Sequence, residues 1–561
     1  MLKIEIDGKQ VEVDHGTTII DAADQLGVEI PRFCYHKKLS VAANCRMCLV
    51  QVEKFNKPLP ACATPVADGM KIFTRSKSAI EAQKSVMEFL LINHPLDCPI
   101  CDQGGECDLQ DIAVAYGASG SRYTEEKRVV LNKNIGPLVS TDMTRCIQCT
   151  RCVRFLKEVG GMQELGLVGR GEHAEIMAYV DKSVESELSG NIIDLCPVGA
   201  LTSKPFRYSA RSWELTRRPS IAAHDGLGSH IEVQVKDNKV MRVLPREKES
   251  INECWLSDRD RFSYEGLNSP DRLTKPMIKH HGEWHETDWK TALEFAARHI
   301  KEITDENPAD LGVLVSPNST MEEGFLVKKL AKALKSGNVD HRLRRSDFRL
   351  DGRFQGTPWM GCNISDVQDM DRFLVIGSNL RNEHPLIAQR IRKAVAQGAE
   401  LSMVNPMDDD QLINVSHKAI CSPNDMVNVL AQILKAMSGL QRLSLCLPKS
   451  ISDILEGVTV RENSQAIAES LAGHGKDYDL ISPKSVIFLG NIAQYHPRYA
   501  EIYTLAEAIS SLCGATFGIL FESSNRIGLD LARVLPSQGA LNAKSMLEQP
   551  RKAYVLVNVE P

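Results

Sequence analysis

Residues 3–7 and 11–13 (KIEID and VEV) alternate apolar and polar side chains around a turn at Gly8, which predicts a β-hairpin. A helix should follow, capped by Thr17 or Thr18, with Ile19, Ile20, Ala23 and Leu26 on its inner face and Gly27 at its end. Residues 49–53 and 70–74 read as further strands, so hairpin, helix and strands suggest a small β-grasp domain with the loop at 34–48 folded against it. Residues 78–93 read as one helix, with Ile80, Val86, Met87, Leu90 and Leu91 at helical spacing and Pro95 as its stop. The stretch Ser119 to Pro137 is polar and turn-rich. Residues 231–245 read as a second hairpin turning at Asp237 and Asn238. Beyond it, apolar runs at 311–317, 372–379, 399–406 and 485–491 alternate with helical patterns, the signature of a parallel sheet covered by helices.

At 561 residues the chain is long enough for three or four domains. The net charge of -5 comes without a long basic block, which gives no support for a nucleic-acid partner. No run of eighteen apolar residues exists to span a membrane, and the start MLKIEIDGKQVEVD does not read as a targeting peptide. Sixteen cysteines without a secretory signal point to a reducing compartment and to metal or redox chemistry. Eleven of them fall between Cys34 and Cys196, a crowding that packing does not require.

Cys34, Cys45, Cys48 and Cys62 form a C-x10-C-x2-C-x13-C set. Three thiolates in one loop and a fourth from a neighbouring strand can surround a two-iron cluster, with a structural zinc site as the alternative. His94, Cys98, Cys101 and Cys107 form H-x3-C-x2-C-x5-C, in which Pro99, Gly104 and Gly105 let the loop wrap a 4Fe-4S body; a zinc site of three cysteines and one histidine is again open. Cys146, Cys149 and Cys152 form the C-x2-C-x2-C run of a 4Fe-4S loop, and Cys196, followed by Pro197, completes it. No second such run exists to take Cys196 elsewhere. Eleven cysteines and His94 give twelve ligands, or three sets of four. Several clusters in one small region suit a relay, because electron tunnelling weakens steeply with distance.

In order and spacing these motifs resemble the NADH:quinone oxidoreductase-G family, the large peripheral-arm iron-sulfur subunits of respiratory complex I. The resemblance extends through ALTSKPFRYSARSWEL at 200–215 into the parallel-sheet region. It implies α+β amino-terminal iron-sulfur modules, a β-grasp ferredoxin-like domain and then helical and loop 4Fe-4S domains. An α/β molybdopterin-oxidoreductase-like domain would follow them. The expected divisions are 1–78 (2Fe-2S), 79–118 (4Fe-4S on one histidine and three cysteines), 138–216 (4Fe-4S on four cysteines), 217–273 (a degenerate 4Fe-4S-type domain) and 274–561. It implies one 2Fe-2S and two 4Fe-4S clusters, no molybdopterin and no catalytic residue. Electrons would pass from an NADH- and FMN-binding subunit toward a ferredoxin-like subunit and quinone. The place would be the cytoplasmic face of the bacterial inner membrane, or the matrix face in mitochondria, with membrane contact only through partners. No glycine-rich dinucleotide fingerprint stands against this.

After residue 217 the chain resembles molybdopterin enzymes such as formate dehydrogenase, which often begin with a further cubane. Aligning WLSDRDRF with that motif's end puts Ala222, Asp225, Ser229 and Ser257 at its ligand positions, so a fourth cluster is not expected. Cys254, Cys362, Cys421, Cys446 and Cys513 are expected to be small buried hydrophobes. The chain stops on the apolar run AYVLVNVEP where the family's sheet domain continues, leaving a truncated end and a shortened lineage both open. The alternatives are a molybdopterin formate dehydrogenase, with Cys362 as a weak metal-ligand candidate, the electron-transfer subunit of an NAD-linked hydrogenase, and a zinc-stabilised scaffold.

Overall fold

The computed structural model describes residues 1–179, 183–354, 356–440, 455–472 and 484–559. Contacts divide the chain into two units, one of Met1–Arg218 with 233–244 and 256–261, the other of 219–232, 245–255 and 262–561.

In the first unit, strands Leu2–Ile6 and Lys9–Val13 pair antiparallel. Their tight turn needs positive φ at both central residues, and Asp7 and Gly8 supply φ of 48° and 85°. Leu2–Ile6 then pairs parallel with Lys71–Phe73, which pairs antiparallel with Leu49–Val52. Helix Ile19–Gln25 is capped by Thr18, whose hydroxyl accepts from the Asp21 N–H, and Gly27 follows it at φ 68°. Ile19, Ile20 and Ala23 pack on Ile4, Ile6, Val50 and Ile72, and Cys48 and Cys62 belong to this same core. The β-grasp arrangement therefore holds two thiols against its own hydrophobic centre.

Helix Lys77–Leu91 is set by its Ser76 cap. Its buried residues are Ala79, Gln83 and Met87 with Val86, Leu90 and Leu91 half-buried, so the expected stripe faces inward except for Ile80 at its edge, which is 40% exposed. Within that face Gln83 donates to the Leu49 carbonyl at 3.1 Å, so its buried amide is paired. Farther on, strands Val139–Thr141 and Leu201–Ser203 pair antiparallel, and short helices Arg151–Phe155 and Asn191–Leu195 run beside them. Cys152 lies in the first helix and Cys196 caps the second.

The second unit carries five parallel strands in the order His417–Ile420, Glu400–Asn405, Arg372–Ile376, Ser485–Leu489 and Thr516–Ile519. The chain winds outward from Arg372–Ile376 in one direction, then returns to build the other side, a doubly wound sheet. Leu311–Val315 pairs parallel with Val339–Asp340 and with Ala553–Val557. All the expected apolar strands are present, shorter at their carboxyl ends because loops begin there. Gly377 takes φ 61°, and a Cβ on Gly490 would lie 2.2 Å from that of Ser378. Cys254, Cys362, Cys421 and Cys513 are half-buried rather than buried, with Cys421 and Cys513 against the large core of this unit; Cys446 lies outside the described residues.

Candidate iron-sulfur ligand sites

The first set is the most enclosed. Cys34, Cys45, Cys48 and Cys62 are each at most 8% exposed. The Cys34 thiol is hydrogen-bonded to Cys45 and Cys62, and Cys48 to Cys62, so all four sulfurs belong to one network. These contacts hold the Cys34 and Cys48 thiols down and push their partners Cys45 and Cys62 up. The Cys34 N–H donates to the Cys45 sulfur at 3.4 Å, the kind of backbone donor that stabilises charge on sulfur. Ala43 and Arg46 adopt φ of 51° and 59°. Left-handed non-glycine residues concentrate where a loop is held to a functional shape.

The third set converges by a different route. Cys146, Cys149, Cys152 and Cys196 line a single cavity together with Met143, Ile147, Ile176, Val198 and Leu201. Burial among those apolar walls pushes the Cys149 thiol up to about 11 and those of Cys146 and Cys196 up to about 12, with Cys152 also raised. Isolated thiolates would be costly there; thiolates bound to iron are offset by the metal's charge. Gln148 and Thr150 are again left-handed, and the Gln148 N–H donates to the Cys146 sulfur at 3.4 Å. This donor set fits a 4Fe-4S cluster.

The second set sits nearer the surface. Cys101 and Cys107 are buried, whereas Cys98 is exposed between Leu96 (89% exposed) and Ile100 (61%). Burial pushes the Cys107 thiol up to about 11 and holds the His94 imidazole down to about 4, hence neutral at pH 7. Buried His94 Nδ1 has no hydrogen-bond partner, an orphan that a metal ligand would resolve. Gly105 takes φ 92°, and a Cβ there would lie 2.8 Å from the Trp213 ring, so the tight wrap depends on that glycine. Arg211 Nη1 donates to the Cys101 carbonyl at 2.6 Å from the segment 200–215.

Sequence reasoning passed over the arginines flanking the third set. Arg145 contacts Asp97 and Asp142, each at 3.1 Å. Arg154 donates to the carbonyls of Cys34 and Cys149. Arg151 donates to the Tyr35 carbonyl at 2.8 Å. Their only linear signal was position beside ligand cysteines.

Around residues 217–273 the donor chemistry is different. Asp225 Oδ1 accepts from the Leu227 N–H at 3.0 Å, Ser257 donates to Asp260 at 2.8 Å, and Ala222 offers no donor atom. These residues do not fit a cubane. In the second unit a cavity at the carboxyl ends of the strands is lined by His341, Arg342, Arg345, Tyr495, Tyr499 and Arg526 among others. No cysteine is among its described lining residues, so Cys362 is not placed there as a metal ligand.

Comparison with known families matches residues 1–77 to a 2Fe-2S iron-sulfur cluster binding domain and 83–122 to the NADH-ubiquinone oxidoreductase-G iron-sulfur binding region. Residues 136–202 match the NADH-quinone oxidoreductase subunit 3 ferredoxin-like domain, and 215–265 an NADH-ubiquinone oxidoreductase NDSU1/NuoG-like 4Fe-4S domain. Residues 272–558 match molybdopterin oxidoreductase. The chain is 48% identical over 415 residues to the NADH-ubiquinone oxidoreductase 75 kDa subunit of Reclinomonas americana, covering 71% of this chain and 59% of that one. It is 48% identical over 400 residues to the NADH-quinone oxidoreductase-G protein of Rickettsia felis, covering 71% and 59%. With mitochondrial NADH dehydrogenase [ubiquinone] iron-sulfur protein 1 of Solanum tuberosum it shares 42% over 489 residues, covering 86% and 64%. The chain thus spans about three-fifths of the length of these relatives. A solved NAD+-reducing [NiFe]-hydrogenase has 26% identity and a TM-score of 0.35, covering 37% of this chain and 90% of that one.

Proposed function

Because the chain belongs to the NADH-quinone oxidoreductase-G family, we propose that it relays electrons within a proton-pumping NADH:quinone oxidoreductase. Cys34, Cys45, Cys48 and Cys62 hold one 2Fe-2S cluster. His94, Cys98, Cys101 and Cys107 hold one 4Fe-4S cluster, and Cys146, Cys149, Cys152 and Cys196 hold another. When bound, such clusters store and release single electrons. The observation that carries this reading is the convergence of Cys146, Cys149 and Cys152 with the distant Cys196 on one apolar cavity.

The chain's own residues bind iron through sulfur and the His94 ring, supply N–H donors from Cys34 and Gln148, and exclude water with Ile147, Ile176 and Leu201. Zinc, left open by spacing alone, is disfavoured because three separate stretches each match a family of iron-sulfur or ferredoxin type. The segments 1–78, 79–118 and 138–216 act as the cluster-bearing domains. Residues 217–273 and 274–561 serve without a fourth cluster and without molybdopterin.

Electrons arrive from the NADH- and FMN-binding subunit and leave through the ferredoxin-like subunit toward quinone. Among the described residues no helix is long and apolar enough to cross a membrane. In this reading attachment at the cytoplasmic or matrix face runs through partner subunits. The test is Cys48→Ser beside Cys149→Ser, read by low-temperature EPR of the reduced protein. The first should remove only the 2Fe-2S signal and the second only one 4Fe-4S signal. Loss of both kinds of signal from either folded variant would overturn the partition of ligands.

A further inference from the structure

Arg151 stands between Cys149 and Cys152, and its side chain is 9% exposed. Its guanidinium reaches the neighbour of a candidate ligand in each of the three sets. Nη2 donates to the carbonyl of Tyr35, which follows Cys34, at 2.8 Å. Nη1 donates at 3.4 Å to the carbonyl of Leu195, which precedes Cys196, and at 3.4 Å to Asp108 Oδ2, which follows Cys107. The Nε–H is buried and has no partner. Burying a donor unpaired is costly, so the guanidinium is held in this place by the bonds its other nitrogens make. The carboxylate paired with the guanidinium, Asp108, is 51% exposed, so water screens it more than it screens the buried cation.

We propose that Arg151 is the positioning residue that raises the reduction potential of the Cys146, Cys149, Cys152 and Cys196 site and ties it to the other two. This rests on the reading that those four cysteines hold a 4Fe-4S cluster. Adding an electron to a buried cluster adds negative charge in a medium of low dielectric, and a fixed cation alongside favours the reduced form. The guanidinium fork suits the task because two of its arms are spent on carbonyls of separate loops while the charge stays in place.

The experiment is potentiometric EPR on the full chain with its clusters, beside iron analysis. Cys149→Ser first identifies which 4Fe-4S signal belongs to this site; if it removes none, the ligand reading fails whatever Arg151 does. Arg151→Gln, with full iron content, should shift the midpoint of that signal downward by about tenfold in the oxidised-to-reduced ratio, 59 mV for a one-electron couple. Arg151→Lys, which keeps the charge, should restore most of the shift. An unchanged midpoint in Arg151→Gln, or an equal fall in Arg151→Lys, overturns the proposal. Where Arg151→Gln does not load iron, Arg151→Met reads the same loss of charge with the side chain's bulk kept, and an unchanged midpoint there overturns the proposal.

Discussion

A Cβ placed on Gly199 would stand 2.1 Å from the sulfur of Cys101. Gly199 lies three residues after Cys196, so the stretch that completes one ligand set also forms a wall of another. The Pro197 carbonyl accepts from the Leu109 N–H at 3.2 Å and faces the Cys107 sulfur at 3.7 Å, which makes the interlock two-sided. Glycine is needed here for close approach rather than for backbone shape.

Gly199→Ala should therefore displace Cys101 and cost the second site its cluster while the Cys34 set keeps its own. Iron per chain should fall by about four, with one 4Fe-4S signal lost and the 2Fe-2S signal intact. Full iron content and an unaltered spectrum would mean that the Cys101 sulfur is not held where this packing puts it.

His94 is the one proposed ligand without a thiolate. Imidazole in place of thiolate removes one negative charge from the cluster and favours reduction, as it does in Rieske centres. His94→Cys should keep a cluster at Cys98, Cys101 and Cys107 and lower its midpoint, as redox titration would record. His94→Ala should loosen or lose that cluster and leave the 2Fe-2S signal unchanged. An alanine variant with unchanged iron, spectrum and midpoint would make His94 an ordinary helix-end residue.

The candidate cysteine motifs and the strands stand out in linear sequence because their signals are local: C-x2-C-x2-C within seven residues, or an apolar run such as 485–491. The strand ends were less so, since Gly377 and Gly490 stop the ladders through close backbone approach that no periodicity records. Ile80 was expected inward because apolar spacing marks a stripe without saying where its edge meets solvent, and Gln83 was not expected in the core because its partner, the Leu49 carbonyl, is distant in sequence. The arginine junction was invisible for the same reason. Tyr35 and Arg151 are far apart in sequence, and only the folded chain brings a carbonyl to a guanidinium.

In the second unit the Asp347 carboxyl gives a pH signature. Burial alone would push it up, but hydrogen bonds from Arg349 and the Ala500 N–H outweigh that and hold it down to about 2. A carboxylate depressed below its unfolded value near 4 contributes stability that is present above about pH 4 and is lost as pH falls toward 2. Chemical denaturation from pH 5 to 2 should show a steeper loss in the native protein than in Asp347→Asn. Equal slopes would remove Asp347 from the acid response.

Phe488 is fully buried in Ser485–Leu489, an interior strand of the doubly wound sheet. Phe488→Ala leaves a cavity on the one face of the sheet that its side chain enters and should destabilise this unit by about 3–5 kcal/mol. Denaturant unfolding measures the loss, and the EPR signals of the folded variant should not change. A cost below about 1 kcal/mol would mean that this face of the sheet is not closely packed there.

The most direct test of the relay is metal and sulfide analysis of the anaerobically purified chain. One two-iron and two four-iron clusters require about ten iron and ten acid-labile sulfide per chain, without molybdenum or stoichiometric zinc. Iron near fourteen would restore a fourth cluster despite Ala222, Asp225, Ser229 and Ser257, and one molybdenum per chain would contradict the relay in favour of a molybdopterin enzyme.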